Sequence, residues 1–522
     1  MRDSVSLDGW WSLPLLAAAG LCVFIALRVA EGLWWRPRRL EKHFARQGIR
    51  GPPYRFFVGC LKELVGLMME ASSKPMSLQN PHDILQRVLP FYHHWRKTYG
   101  STFLLWFGPT ARVTVADPDL IREIFLSRAE LFEKYEAPPL LHQQEGDGLL
   151  NLSGEKWALH KKILTPTFHT DNLKLLIPFI GATVMGMVDK LRSSGELEID
   201  VSEWFQTVAE DGIARVAFGR SVDEGLSVFQ LQSQQMLFAA EAFRKVFIPG
   251  YRFLPTKMNA RSWRLEKEIR RRLAALIRRR REIISDDDSG GAGGGDRKAK
   301  DLLGVMLNAE GITAGDIVEE CKTFFFAGKQ TTSYLLTWAT VLLAMHPDWQ
   351  ERGRAEVLRV CGSRDVPTRD QLADLKTLGL IIQEVLRLYP PTAATIRRAR
   401  ADVELGGYRI PRGTELLIPI MAVHHDEELW GPDAVRFDPE RFAGGASRAA
   451  RIPHSFIPFG LGARVCIGQN LALLETKLTL AIILQRLSFR LSPSYVHAPT
   501  VLLFVYPQYG AQILFRSLDP GA

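Results

Sequence analysis

The sequence predicts a mainly α-helical fold with a small β-rich portion, preceded by one membrane-spanning helix. Three observations predict it: an uncharged run from Trp10 to Leu27, an apolar helical pattern from about Thr313 to Met345, and a minority of short strand-like runs, clearest at Phe103–Ala116. Of 522 residues 46% are apolar and 24% charged, with 42 Gly and 29 Pro, which excludes collagenous, coiled-coil and disordered classes. At roughly 100–200 residues per domain, the length admits two to four domains or one large enzyme. Cys22, Cys60, Cys321, Cys361 and Cys466 form neither a disulfide framework nor a paired zinc spacing, so the body is expected to face a reducing compartment.

The run Trp10–Leu27 has 18 residues, about 27 Å as a helix, enough for a thin bilayer. Arg28, Arg36, Arg38, Arg39 and Lys42 follow it and only Arg2 precedes it, so the positive-inside bias puts the carboxyl side in the cytosol. Trp10, Trp11, Trp34 and Trp35 stand where interfacial aromatic belts lie. A cleaved signal peptide fits less well, because the charges follow the apolar run and no A-x-A site is evident. The expected organisation is a lumenal 1–9, an anchor at 10–27, a basic hinge linker at 28–55 containing Gly51-Pro52-Pro53, and a folded body over 56–522.

The net charge of +9 is local: residues 28–55 carry +6, residues 261–281 carry +8, and the rest sums to −5. A basic face spread over the body is absent, so no nucleic-acid partner is expected. In Arg261–Arg281, Leu265, Ile269, Leu273 and Leu276 form one helical stripe with arginines elsewhere. Two readings stand there: a solvated helix face, or a docking surface for an acidic partner or lipid headgroups. Asp286–Lys300 is Gly- and Asp-rich and is expected to be a flexible loop.

Phe103–Ala116 reads as a hairpin around Gly108-Pro109, and Asp117–Phe125 resumes a helical pattern. Thr313 and Asp316 resemble a capping box opening the long helix, and His346-Pro347 closes it. Its middle is apolar nearly all round, so it is expected to be central and buried. Inside it Thr331 can bond back to the carbonyl of Ala327, either as a satisfied core threonine or as a polar notch in an apolar cavity. A second helix, about Lys376 to Leu388, puts Glu384 and Arg387 three residues apart on an inward face, with Arg441 as the candidate third charge.

Cys466 precedes a helix from about Asn470 to Leu484, where the positive end of the helix dipole and free N–H groups favour a thiolate. Gly462 and Gly468 permit close approach of a flat group, and Arg464 offers a fork for a carboxylate. Together these describe haem held by sulfur. A buried apolar cysteine and a hydrolytic nucleophile are the alternatives.

Phe459-x-x-Gly462-x-Arg464-x-Cys466-x-Gly468, Glu384-x-x-Arg387, Phe437–Phe442 and Ala327-Gly328-x-x-Thr331 stand in the order and spacing of the cytochrome P450 superfamily, which the chain resembles over essentially its whole length. The resemblance implies a triangular, mostly helical fold carrying haem b, with Cys466 as axial iron ligand and Glu384, Arg387 and Arg441 as a buried structural triad. It implies cofactor contacts at Trp157, Arg397, Arg464, Phe459 and Gly468, and Lys161 where the family pattern has Arg. Thr331 and Gln330 are the implied catalytic pair, although many relatives carry an acid where Gln330 stands. The segments Phe324–Phe326, Pro391–Ile396 and Ala498–Phe504 are implied to line the pocket, with Phe326, Ala327, Ala394 and Val501 as the implied pocket residues.

The stretches Tyr92–Lys97, Val115–Phe125, Val246–Tyr251 and Phe324–Thr332 are similar to plant microsomal members, in particular the subfamily that inactivates brassinosteroids by side-chain (C-26) hydroxylation. What this implies is an NADPH- and dioxygen-dependent monooxygenase over 56–522, on the endoplasmic reticulum membrane, acting on an apolar steroid-like molecule. No dinucleotide-binding fingerprint follows a strand, so electrons are expected from a separate NADPH-cytochrome P450 reductase. Another terpenoid hormone such as a gibberellin, a reductase-independent haem-thiolate isomerase or dehydratase, and a non-catalytic haem sensor are the rival readings.

Overall fold

The computed structural model describes residues 12–137, 139–192, 195–243, 254–289, 301–363 and 365–518. Residues 1–11, with Trp10 and Trp11, lie outside them. Helix α1, Ser12–Ala30, is long and apolar enough to cross a membrane, and Leu21, Phe24 and Leu27 are exposed. It does not stop at Leu27. A π-helical segment, Glu31–Trp35, and a further helix, Arg36–Ala45, continue it, so much of the expected hinge is helical. No Gly or Pro interrupts the chain between Arg38 and Gln47, and the left-handed turn comes only at Gly48 (φ 84°). This segment is docked rather than free: Phe44 is buried, and the side chains of His43 and Gln47 reach the Arg409 carbonyl at 2.8 and 3.1 Å.

The expected hairpin is present as β1 (Leu104–Phe107) and β2 (Thr110–Thr114), with Gly108 at φ 59°. Both belong to a five-stranded sheet with β3 (Phe132–Lys134), β4 (Thr395–Ala399) and β5 (Glu415–Ile418), in the order β1-β2-β5-β4-β3. β2 and β5 run parallel and the other pairs antiparallel. The register of β3 against β4 sets Lys134 opposite Arg397.

The helices that position the site are α2 (Gly154–Leu164), α3 (Val201–Phe218), α4 (Val222–Phe243), α5 (Lys257–Ser289), α6 (Ala314–Met345), α7 (Lys376–Leu388) and α8 (Gln469–Arg486). The Thr313–Asp316 capping box is formed, and α6 runs buried through the body. One end packs in the main core through Leu335–Ala344. The other meets a second core built with Ile269, Leu273 and Leu276 of α5. The α5 stripe is thus buried as its spacing demands, while Leu265 is only half covered.

Two readings of this region change. Asp286–Ser289, expected in a loop, end helix α5, and the remainder of 286–300 lies outside the described residues. The arginines of α5 are largely spent on neighbours: Arg270 on Glu266 and Glu319, Arg271 and Arg272 on Glu268, Arg279 on Glu224, Arg280 on Asp301. That favours the solvated, ion-paired face.

A buried histidine network ties the end of α6 to distant segments. His82 bonds Tyr389 Oη through Nδ1 (3.0 Å) and His346 Nε2 through Nε2 (2.9 Å), and Tyr389 stacks on Trp338. His497 Nε2 lies 2.8 Å from the Pro81 carbonyl, which only accepts, so its Nδ1 accepts from Tyr495. Burial holds His82 and His346 below the ordinary histidine value and His497 at about 4. The folded state therefore binds these protons less readily than the unfolded chain. Stability is full above about pH 6.5 and falls as pH drops below it, by about 1.4 kcal/mol per unit for each histidine until its folded pKa is reached. Urea unfolding midpoints at pH 7.5 and 5 check this, and a His497→Gln variant is expected to flatten the slope.

Candidate active site

The loop before α8 is shaped by its glycines. Gly460 and Gly462 take φ 74° and 66°, and a Cβ on Gly462 would lie 2.1 Å from the Phe125 carbonyl oxygen. The need for glycine at 462 therefore comes from protein backbone, not from the flat group that the sequence suggested. At Gly468 a Cβ would meet nothing nearer than Cys466 Sγ at 3.8 Å, so this glycine leaves the sulfur uncovered. Cys466 N–H donates to the Phe459 carbonyl at 2.9 Å, which turns its side chain into a cavity. Burial pushes the thiol pKa up, while the N–H groups of Gly468 and Gln469, at the start of α8, pull it down.

The cavity holds about 370 Å³, within the range of small-molecule sites. Phe326, Ala327 and Thr331 of α6 line one side, Phe459, Cys466 and Gly468 another, and Trp157, Lys161, Arg397 and Arg464 gather along one edge. Thr331 Oγ1 donates to the Ala327 carbonyl at 2.6 Å, the back-bond expected from the sequence, and the residue borders the cavity. Gln330 separates from it. One residue is 100° of turn on a helix, so the Gln330 side chain leaves the cavity wall, and its Oε1 is buried without a hydrogen-bond partner among the described residues.

The cationic edge decides what the cavity takes. The Arg397 guanidinium lies over the Phe125 ring at 4.5 Å and donates only to Thr395 Oγ1 and the Ile396 carbonyl. Arg464 lies over Trp157 at 4.4 Å and donates to the Leu152 carbonyl at 2.7 Å, while Lys161 donates to the Ala463 carbonyl. Among the described residues none of the three meets a carboxylate. Burial, then the neighbouring Arg464 charge, pushes Arg397 down to about 10. Partly buried cations without counter-ions are costly, so this edge suits an anionic group. A planar dicarboxylate whose metal centre meets the Cys466 sulfur fits these residues.

A family model described as Cytochrome P450 matches residues 78–515. The chain belongs to the cytochrome P450 family. It is 63% identical over 97% of its length to Cytochrome P450 734A6 of Oryza sativa subsp. japonica, covering 96% of that relative. It is 62% identical to Cytochrome P450 734A1 of Arabidopsis thaliana, over 97% of this chain and 98% of the relative. Cytochrome P450 CYP72A616 of Paris polyphylla is 42% identical over 97% and 98% of the two chains. The protein is accordingly a P450 monooxygenase, an oxidoreductase of a family whose cofactor is a cysteine-ligated haem.

The Glu384–Arg387 pair forms as its spacing suggested, whereas Arg441 pairs chiefly with Asp433, at 2.6 Å, and only approaches Glu384. Glu384 and Arg387 are both 0% exposed and joined twice at 2.7 Å, and Arg441 Nε approaches Glu384 Oε1 at 3.6 Å. Arg387 also donates to the carbonyls of His424, Ala434 and Arg436, and Asp438 N–H donates to Glu384. One cluster thus fixes α7 to the loop around residues 434–441.

Ala394 and Val501, expected in the pocket, pack against the main core and do not border the cavity. Apolar character alone could not separate wall from core. The neighbours that do border it are Thr392, Thr395 and Phe504, with Phe504 5.6 Å from the Phe326 ring. Lys134 was missed as well. It reaches the cationic edge because β3 pairs with β4 opposite Arg397, and Glu145 (3.2 Å) and Asn151 (2.9 Å) hold it. No local pattern could have found it, since strand pairing across more than 260 residues puts it there.

Proposed function

We propose that this enzyme hydroxylates the side chain of a brassinosteroid, with Cys466 as the axial ligand of its haem, on the endoplasmic reticulum membrane with the body in the cytosol. The observation that carries the ligand assignment is the cysteine sulfur opening on a cavity at whose edge Lys161, Arg397 and Arg464 meet no carboxylate among the described residues. The substrate reading rests on the subfamily stretches Tyr92–Lys97 and Phe324–Thr332. The aromatic wall of Phe326 and Phe504 suits a sterol skeleton, and Thr392 and Thr395 offer hydroxyls to orient polar substituents.

Haem, when bound, supplies the redox chemistry that splits dioxygen and inserts one oxygen atom into a C–H bond. The residues do the rest. The Gly468 and Gln469 N–H groups stabilise negative charge on Cys466 sulfur. Arg397 and Arg464 take the cofactor carboxylates as forks, and Lys161 does so as a point charge. Because the Thr331 hydroxyl hydrogen rests on the Ala327 carbonyl, the Thr331 oxygen has acceptor capacity left for a water or ligand in the cavity, and rotation about the Cβ–Oγ1 bond turns the hydroxyl into a donor. Gln330 cannot ionise and does not border the cavity, so either Thr331 and water carry the protons alone or an acid elsewhere in the chain feeds them. A reductase supplies electrons from NADPH.

Replacing Thr331 by Ala is expected to raise peroxide released per NADPH consumed and to lower product yield about tenfold or more. Product and peroxide are measured on the same turnover; an unchanged yield would refute the role. For the substrate, brassinosteroid and gibberellin panels are screened for binding-induced Soret shifts. Product analysis with and without NADPH and reductase follows. Turnover of a brassinosteroid that requires both supports the reading, and a preference for gibberellins, or product without reductase, overturns it.

A further inference from the structure

Helix α2 presents Trp157 and Lys161 to the cavity, and its His160 points the other way, into α6. There Glu320, 0% exposed, uses both oxygens. Its Oε1 lies 2.6 Å from His160 Nδ1, and its Oε2 accepts the Leu149 N–H at 3.0 Å. A carboxylate only accepts, so Nδ1 carries the hydrogen. Among the described residues His160 Nε2 is buried with no partner, so within them Glu320 alone orients the ring by hydrogen bonding.

The loop between Glu145 and Leu152 is pressed on α6 along its length. Thr323 Oγ1 donates to the Glu145 carbonyl at 2.6 Å, and Asp147 N–H donates to Glu319 at 2.9 Å. A Cβ on Gly148 would fall 2.5 Å from Thr323 Oγ1 and 2.7 Å from Glu320 Oε2, so only glycine lets the loop lie this close. The same loop supplies Leu149 and Leu150 to the cavity wall, and its Leu152 carbonyl holds Arg464.

We infer that Glu320 is a positioning residue: one buried carboxylate on α6 joins α2, through His160, to the 145–152 loop, through Leu149, and so sets both the cavity wall and the cations that grip the cofactor. It contacts neither cofactor nor substrate. Its two partners are both donors, which makes the requirement specific: an amide has a single acceptor oxygen, and it serves His160 as well as Leu149 only if the ring exchanges tautomer, which leaves the Nε2 hydrogen buried with no acceptor among the described residues.

The holoenzyme tests this with 4-phenylimidazole, a ligand for the cavity whose binding does not depend on the steroid reading. The rate of haem transfer to apomyoglobin and hydrogen exchange at the Leu149 amide are measured alongside. Glu320→Gln is expected to weaken 4-phenylimidazole binding and to speed haem loss, each about tenfold, with Leu149 protection lowered. In His160→Asn, the Asn amide stands in for Nδ1–H, and values are expected within about twofold of the parent. His160→Leu with Glu320→Leu removes the buried charge and is expected to regain thermal stability relative to His160→Leu alone. It is not expected to regain affinity, because Leu149 N–H still lacks its acceptor. Parental ligand affinity and haem retention in either Glu320→Gln or the double-leucine variant would overturn the inference. So would a His160→Asn variant as impaired as His160→Leu, which would assign the effect to ring bulk.

Discussion

Cys466→Ser is expected to reduce turnover to the background of the assay and to remove the far-shifted Soret band of the reduced, carbon monoxide-bound enzyme. The sulfur opens on the cavity, and the Gly468 and Gln469 N–H groups stabilise charge on it. A serine hydroxyl in that place is harder, shorter and far less acidic, so it neither forms a soft anionic ligand nor donates electron density to the metal. The polypeptide itself should survive, since the loop is held by the Cys466 N–H to Phe459 bond and by Gly462 against Phe125, which the substitution leaves intact. Far-UV circular dichroism and haem content separate loss of ligand from loss of fold. A pigmented serine variant with parental turnover would refute the assignment of Cys466.

Arg387→Ala is expected to produce the largest loss of stability. The guanidinium is fully buried and makes two bonds to Glu384 and three to backbone carbonyls of residues 424–436. Its removal leaves a buried carboxylate facing only Arg441, at 3.6 Å, and the Asp438 N–H. Breaking a buried pair by removing one partner costs about 3–5 kcal/mol. Against a total of about 5–15 kcal/mol, that is enough to unfold much of the population. Urea unfolding of the holoenzyme measures it. Glu384→Leu combined with Arg387→Leu should recover part of the loss, because no uncompensated charge remains, but not all of it, because the three carbonyls lose their donor. A midpoint within error of the parent for Arg387→Ala would show that the cluster is dispensable.

The two sites differ in how far they could be read in advance. Glu384 and Arg387 are three residues apart on one helix, and a helix fixes the relation between i and i+3 whatever surrounds it. The same holds for Thr331 against the Ala327 carbonyl and for the Thr313–Asp316 cap. Each was legible because its geometry is local. Gln330 shows the limit of adjacency: next to Thr331 in sequence, it is a third of a turn away in space. Ala394 and Val501 show another, since an apolar side chain in or beside a short strand serves core or cavity equally well by pattern.

By itself the sequence determined most of the helical and hairpin elements, the presence of an apolar amino-terminal helix, and the order of motifs from Thr331 to Cys466. Those are consequences of periodicity, capping and turn conformation, which act over a few residues. Only the tertiary structure decided that Lys134 stands beside Arg397, that Leu152 steers Arg464, that Glu320 joins His160 to Leu149, and that Phe504 rather than Val501 walls the cavity. These relations join residues tens to hundreds of positions apart, and their partners are chosen by packing and strand register, for which the chain has no local periodicity.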